Sequence, residues 1–145
     1  MTDLFESLAG DHRDVERLFT SFEKDHDDAT AREICDALTL HTQVEEQVLY
    51  PELRRIVDDG DDLANVAEDE HGAVRALIAH VYETPPPDLG PAIDEMRQLV
   101  ERHVESEEND VFPRLRDSGA DAEALGRRAD AVRGEAASRS SGQVG

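Results

Sequence analysis

Apolar positions recur three and four residues apart in four long stretches, the period of helices that bury one face. The first stripe is Leu4, Leu8, His12, Val15, Phe19 and Phe22, runs to about Lys24, and has Thr2 or Asp3 to cap its first turn. An acidic turn at residues 25–28 precedes a second stripe of Ile34, Leu38, His41, Glu45, Val48 and Leu49, with Thr30 as its expected cap. Pro51 removes a backbone donor from that run, so residues 52–57 are expected as a bent continuation of the same helix. Residues 58–62, with Gly60, break the pattern. Asp61 or Asp62 can then cap a third stripe of Leu63, Ala67, Glu70, His71, Val74, Leu77, Ile78 and Val81. Residues 84–91 hold four prolines and a glycine and must turn the chain. The fourth stripe is Ile93, Met96, Leu99, Val100, His103, Glu107, Val111 and Leu115, with Pro113 standing in it as Pro51 stands in the second. A short fifth helix is expected over residues 121–133, then a disordered Ser- and Gly-rich tail over 134–145.

Four helices of about twenty residues joined by short connections predict an all-α protein, an antiparallel up-and-down four-helix bundle over residues 1–133. Composition agrees: aromatics are 4% and Trp is absent, which suits Leu-, Val- and Ala-rich helices better than a β-sandwich. A net charge of -20, from 35 acidic and 15 basic residues, repels phosphate backbones and anionic lipid and argues against nucleic-acid or membrane partners. Lys24 is the only lysine. The single cysteine, Cys35, lies beside Ile34 in an apolar stripe and fits a small buried thiol in a reducing compartment. No basic segment followed by an apolar run opens the chain, and no stretch has the length to cross a bilayer, so a cytoplasmic protein is expected. Neither a Ser/His/Asp arrangement nor a Gly-rich phosphate loop is present to support hydrolase or nucleotide chemistry.

The chain also repeats itself. His12 opens HRDVERLF and His71 opens HGAVRALI; His41 opens HTQVEEQVLYPEL and His103 opens HVESEENDVFPRL. Each half is therefore a histidine helix followed by a helix with His-x3-Glu-Glu and a proline, and a two-fold axis should relate them. A residue four positions on lies about 40° around and about 6 Å along an α-helix, so His41 with Glu45 and His103 with Glu107 each aim two ligand groups at one point. In antiparallel helices His12 falls at about the level of His41, and His71 at about the level of His103. Four imidazoles and two carboxylates on apolar stripes are costly without a partner, and a pair of metals shared by the two glutamates would compensate them. Iron, manganese or zinc would suit such donors.

These residues resemble the hemerythrin family, and within it the branch with the ligand order H, HxxxE, H, HxxxE, matched here by His12, His41 with Glu45, His71, and His103 with Glu107. The resemblance covers about residues 1–117. It implies two non-haem Fe ions, oxo- or hydroxo-bridged, with Zn or Mn as other occupants, and a small ligand such as O2, H2O2 or NO. Oxygen-carrying members have a fifth histidine four residues from the one at 71; here Arg75 stands there, which favours reaction over reversible carriage. The implied function is oxidative or nitrosative stress detoxification. Two alternatives are an O2- or iron-binding storage or sensing module, and an iron donor for iron-sulfur cluster repair. Around the ligands, Glu46 and Glu108 are candidates to hydrogen-bond ligand histidines, while Glu16 reads as a surface residue. Tyr50, nine after His41, lies about 180° around a regular helix and is expected to pack elsewhere, leaving Leu49 and Val111 to wall the pocket. His26 and His80 fall outside the repeat and read as surface or helix-end residues.

Overall fold

The computed structural model describes residues 2–142, which form helices joined by short turns. Helix α1 (Leu4–Asp25) starts under Asp3, whose carboxylate accepts a hydrogen bond from the Glu6 amide at 2.8 Å, and stops at His26, held at φ 51. Helix α2 (Asp28–Val44) is capped by Asp27, which accepts from the Ala29 amide at 3.0 Å, so the acidic turn itself supplies the cap ahead of Thr30. The chain then widens into a π-helical turn, Glu45–Leu49, and continues as α3 (Tyr50–Ile56). Helix α4 (Gly60–Glu83) returns, a 3-10 turn at Pro86–Asp88 reverses the chain, and α5 (Gly90–Ser106) leads through a second π turn, Glu107–Val111, into α6 (Phe112–Asp117).

Both π turns stand just before a proline, and the cause is local. In an α-helix the Pro51 ring would meet the Gln47 carbonyl and give it no donor. The wider turn instead bonds the Tyr50 amide to the Glu45 carbonyl, five residues back, and Arg128 Nη2 lies 3.5 Å from the Gln47 oxygen. The Phe112 amide bonds the Glu107 carbonyl in the same way before Pro113.

Antiparallel packing sorts the apolar side chains into two clusters. One joins the start of α1 (Leu4, Phe5, Leu8), the chain around the first π turn (Val44, Val48, Leu49, Tyr50, Leu53), the start of α4 and the second π turn through Leu115. The other joins the far ends of the same helices, with Phe19, Phe22, Ile34, Leu38, Val74 and Met96 among its members. Each fully buried side chain of this kind contributes roughly 1.5–3 kcal/mol. Cys35 is buried in the second cluster, and burial lifts its thiol to about 11, which keeps it protonated.

Helix α7 (Ala122–Gly142) lies against α1 and α2 and adds Leu125, Ala129 and Val132 to the first cluster. Its approach is close: a Cβ on Gly126 would stand 2.5 Å from the Thr2 carbonyl oxygen. The helix runs on past Arg133, where the pattern places a tail, through Ala136 and Ala137, which favour helix. Residues 143–145 lie outside the described residues. Among the described residues no helix is long and apolar enough to cross a membrane.

Two glycines of α4 test the packing in opposite directions. A Cβ on Gly60 would stand 1.9 Å from the Leu53 carbonyl oxygen of α3, whereas one on exposed Gly72 would meet nothing within 4 Å. Gly60→Ala should therefore destabilise the bundle by about 1–3 kcal/mol in chemical denaturation, and Gly72→Ala should stabilise it by roughly 0.5–1 kcal/mol.

Candidate metal centre

Between the two apolar clusters lies a polar layer. His12 of α1, His41 of α2, Glu45 at the head of the first π turn, His71 of α4, His103 of α5 and Glu107 at the head of the second π turn are all buried. Their donor atoms form two overlapping groups, His12, His41, Glu45 and Glu107, and Glu45, His71, His103 and Glu107, with the atoms of each group within 4.8 Å of one another. The Nε2 atoms of His12 and His41 are 3.2 Å apart and those of His71 and His103 3.3 Å apart. Each glutamate divides its oxygens between the groups. Glu45 turns Oε2 to His41 at 3.2 Å and Oε1 to His71 at 2.9 Å; Glu107 turns Oε1 to His12 at 3.3 Å and Oε2 to His103 at 3.1 Å. The six candidate residues of the sequence pattern are thus brought to one place.

The outer nitrogen of every imidazole donates to a carboxylate. His12 Nδ1 meets Glu108 at 2.6 Å, His41 Nδ1 meets Asp11 at 2.8 Å, His71 Nδ1 meets Glu46 at 2.7 Å and His103 Nδ1 meets Glu70 at 2.9 Å. A carboxylate only accepts, so Nδ1 carries the hydrogen and, in the neutral ring, Nε2 faces the centre with its lone pair. Arginines hold three of the four carboxylates from outside: Arg13 on Glu108 at 2.8 Å, Arg133 of α7 on Asp11 at 2.8 Å, and Arg75 on Glu46. Arg75, at the place of a fifth histidine, therefore points outward and fixes the carboxylate that His71 meets. Glu46 and Glu108 do hydrogen-bond the histidines as the repeat suggested. Asp11 and Glu70 are additional, and their signal is the acidic residue that immediately precedes His12 and His71 in each half. Glu16 lines a surface groove, and His26 and His80 are exposed.

Tyr50 departs from expectation. Its hydroxyl lies 3.0 Å from Glu107 Oε2, 3.3 Å from Glu45 Oε1 and 2.9 Å from His71 Nε2, inside the second group. The π turn is the reason. With bonds five residues apart, Tyr50 stands over Glu45 instead of on the far side of the helix, and Leu49 and Val111 turn into the first apolar cluster. The repeat places Phe112 in the matching position, its ring stacked at 6.2 Å over His12. A phenol therefore serves one group and a phenyl the other.

The consequence is visible in the carboxylates. Glu45 Oε2 and Glu107 Oε1, the oxygens turned to His12 and His41, receive no hydrogen bond, although Glu45 is 0% and Glu107 1% exposed. A buried carboxylate left in this state costs on the order of several kcal/mol, and a cation between the two groups is the partner that its free oxygen can accept.

The family model for the hemerythrin HHE cation-binding domain matches residues 3–115. The chain belongs to this hemerythrin family. Two relatives frame this HHE domain. It is similar to a Nostoc sp. protein named DNA nickase, 29% identical over 114 residues that cover 74% of this chain and 32% of that protein. It is also similar to an uncharacterized hemerythrin-like protein of Schizosaccharomyces pombe, 24% identical over 132 residues that cover 86% of this chain and 65% of that one. The chain thus spans about a third of the first relative's length and just under two thirds of the second's. No solved structure matches it. Two overlapping groups of buried histidines and glutamates, in a cation-binding domain, point to a two-metal site.

Electrostatics predict how a hemerythrin domain of this kind takes up metal. Burial opposes a charged His41, but the charge of the nearby Glu45 carboxylate and the hydrogen bond to Asp11 outweigh it and lift the imidazole to about 10. His103 is raised too, burial again being outweighed by Glu107, Glu45 and Glu70. Burial would raise Glu45, yet the His41 charge and its hydrogen bonds hold it well below the usual range. At neutral pH the metal-free protein therefore keeps an extra proton on His41 and on His103, and metal takes only the neutral ring. Titration calorimetry in buffers of different ionisation enthalpy should show net proton release on loading at pH 7. Apparent affinity should rise as pH climbs from about 7 toward 10. The sign for stability is opposite in the metal-free protein: the contribution of His41 is complete below its ordinary value of 6.5 and is lost as pH rises through about 10.

Proposed function

We propose that this chain holds two non-haem irons and consumes a small ligand, O2, peroxide or nitric oxide, at them in oxidative or nitrosative stress. In this reading His12 and His41 would hold one iron and His71 and His103 the other, with Glu45 and Glu107 available to both. The observation that carries it is the division of each buried carboxylate between the two histidine pairs. Mixed imidazole and carboxylate donors suit iron; zinc and manganese are the competing occupants. Iron would supply electrons and polarisation to a bound ligand.

The residues around the centre define what that ligand can be. A cavity of about 20 Å³ is bounded by all four histidines together with apolar walls that include Leu38 and Val74. That is room for one water-sized molecule or a diatomic, and the apolar lining favours a neutral one. Asp11, Glu46, Glu70 and Glu108 fix the four rings so that each Nε2 keeps its aim. Tyr50 is placed to donate a proton or an oxygen ligand on the His71 and His103 side alone, which would make the two irons unequal. Burial first, then the charges of Glu45 and Glu107, raise its phenol well above the usual range, so it holds its proton in the metal-free protein.

Reversible O2 binding without consumption is the second reading, and the enclosed apolar cavity suits it. DNA nicking, named for the Nostoc relative, is not carried over: a net charge of -20 opposes a phosphate backbone. A buried lone Cys35 fits a reducing cytoplasm.

The test is anaerobic iron loading followed by exposure to O2, H2O2 and NO, with wild type and Tyr50→Phe side by side. Wild type should consume peroxide over many turnovers by disproportionation to water and O2, or NO over many turnovers once a chemical reductant is added to supply two electrons for each pair of NO. Tyr50→Phe should change both the visible spectrum and the turnover while iron content stays at two per chain. A stable oxygenated spectrum without consumption would move the assignment to the binding module. Specific loading with zinc would overturn the redox reading.

A further inference from the structure

The cavity among the histidines shares a wall with the protein surface. His12, Val15, Val100 and Val104 bound the cavity, and the same four residues bound a groove of about 280 Å³ on the outside of the bundle, between α1 and α5. We propose that this α1/α5 groove is the route by which a small neutral ligand reaches the centre, with Val15, Val100 and Val104 as its gate. The inference rests on the small-ligand reading above and adds the path and the residues that control it.

Three observations converge on that seam. First, α1 packs chiefly on α2 and α5 chiefly on α4, so the α1/α5 interface is one of the two lightly packed sides of the centre, the α2/α4 interface being the other, and it is the one with a groove that shares the cavity's wall. Second, the valines form an apolar layer one side chain thick. Val15 is buried, while Val100 and Val104, one turn apart on α5, are half-buried and span from groove to cavity. Rotation of a partly exposed valine is a fast, local motion, so passage needs no opening of the bundle. Third, the arginines of the rim outside are already paired. Arg13 meets Glu108 at 2.8 Å, and Arg97 meets Glu101 at 3.0 Å and Glu23 at 2.8 Å.

The chemistry of the layer sets what passes. An ion crossing it would lose its hydration with little but valine methyls in return, since the Nδ1 of His12 is taken by Glu108, whereas O2, NO and H2O2 carry no charge to desolvate. Selection would therefore occur at the gate, before the ligand meets any metal.

The test is stopped-flow binding of NO to the ferrous, iron-loaded protein. Val100→Phe and Val104→Phe should slow association at least about tenfold and slow dissociation together with it, the signature of a barrier on the path. Val104→Ala should raise both rates, which keeps the test open should either phenylalanine variant fold poorly. Unchanged rates in iron-loaded, folded variants would overturn the route while leaving the small-ligand reading intact. A change in dissociation alone would also overturn it, since the valines would then shape the bound state. Failure of the wild-type, iron-loaded protein to bind NO at all, together with failure to bind O2 or peroxide, would bring down the functional reading and this inference with it.

Discussion

Two carboxylates buried at the middle of the bundle are the constraint on which the rest depends. Glu45 and Glu107 are shut off from water, and each has one oxygen that no hydrogen bond reaches. The fold tolerates them because four imidazoles converge on the same layer, and because four further carboxylates orient those imidazoles from outside. The apolar side chains divide into one cluster on each side of this layer. A bundle built only for stability would have continued a single core through it, since apolar packing would cost less than half-satisfied charge. The polar layer is thus better explained by a cation than by folding.

The internal repeat gives the layer its shape, and departures from the repeat give it direction. Both halves supply a histidine helix with an acidic residue just before its histidine, a His-x3-Glu-Glu helix, and a proline that opens a π turn. The halves differ where Tyr50 faces Phe112 across the pseudo-axis. The phenol satisfies carboxylate oxygens on the His71 side, and its absence leaves those on the His12 side open. The groove is lined by both halves, and His12, on the side that lacks the phenol, is the one histidine of the layer that borders it. Helix α7 adds a third asymmetry, because Arg133 reaches Asp11 and so only His41 is steadied from beyond the residues matched by the family model.

Much of this was legible in the sequence, for identifiable reasons. Helical spacing located the four long helices, and histidine and glutamate on otherwise apolar stripes located the layer, because polar residues in core positions are conspicuous. The position of Tyr50 was not legible from a regular helix. It depends on a π turn whose cue, proline one residue on in both halves, signals an irregularity without specifying that the helix widens instead of bending. Asp11 and Glu70 were also missed, since acidic residues are common in so acidic a chain and their pairing is a matter of helix-to-helix contact. Arg133 lies over a hundred positions from its partner Asp11, a separation at which local pattern says nothing.

Anomalous diffraction from crystals of the iron-loaded protein tests the central claim most directly. Two iron peaks per chain are predicted, one beside Nε2 of His12 and His41 and one beside Nε2 of His71 and His103, with Glu45 and Glu107 each touching both. A single peak, or a peak held by residues outside this layer, would contradict it.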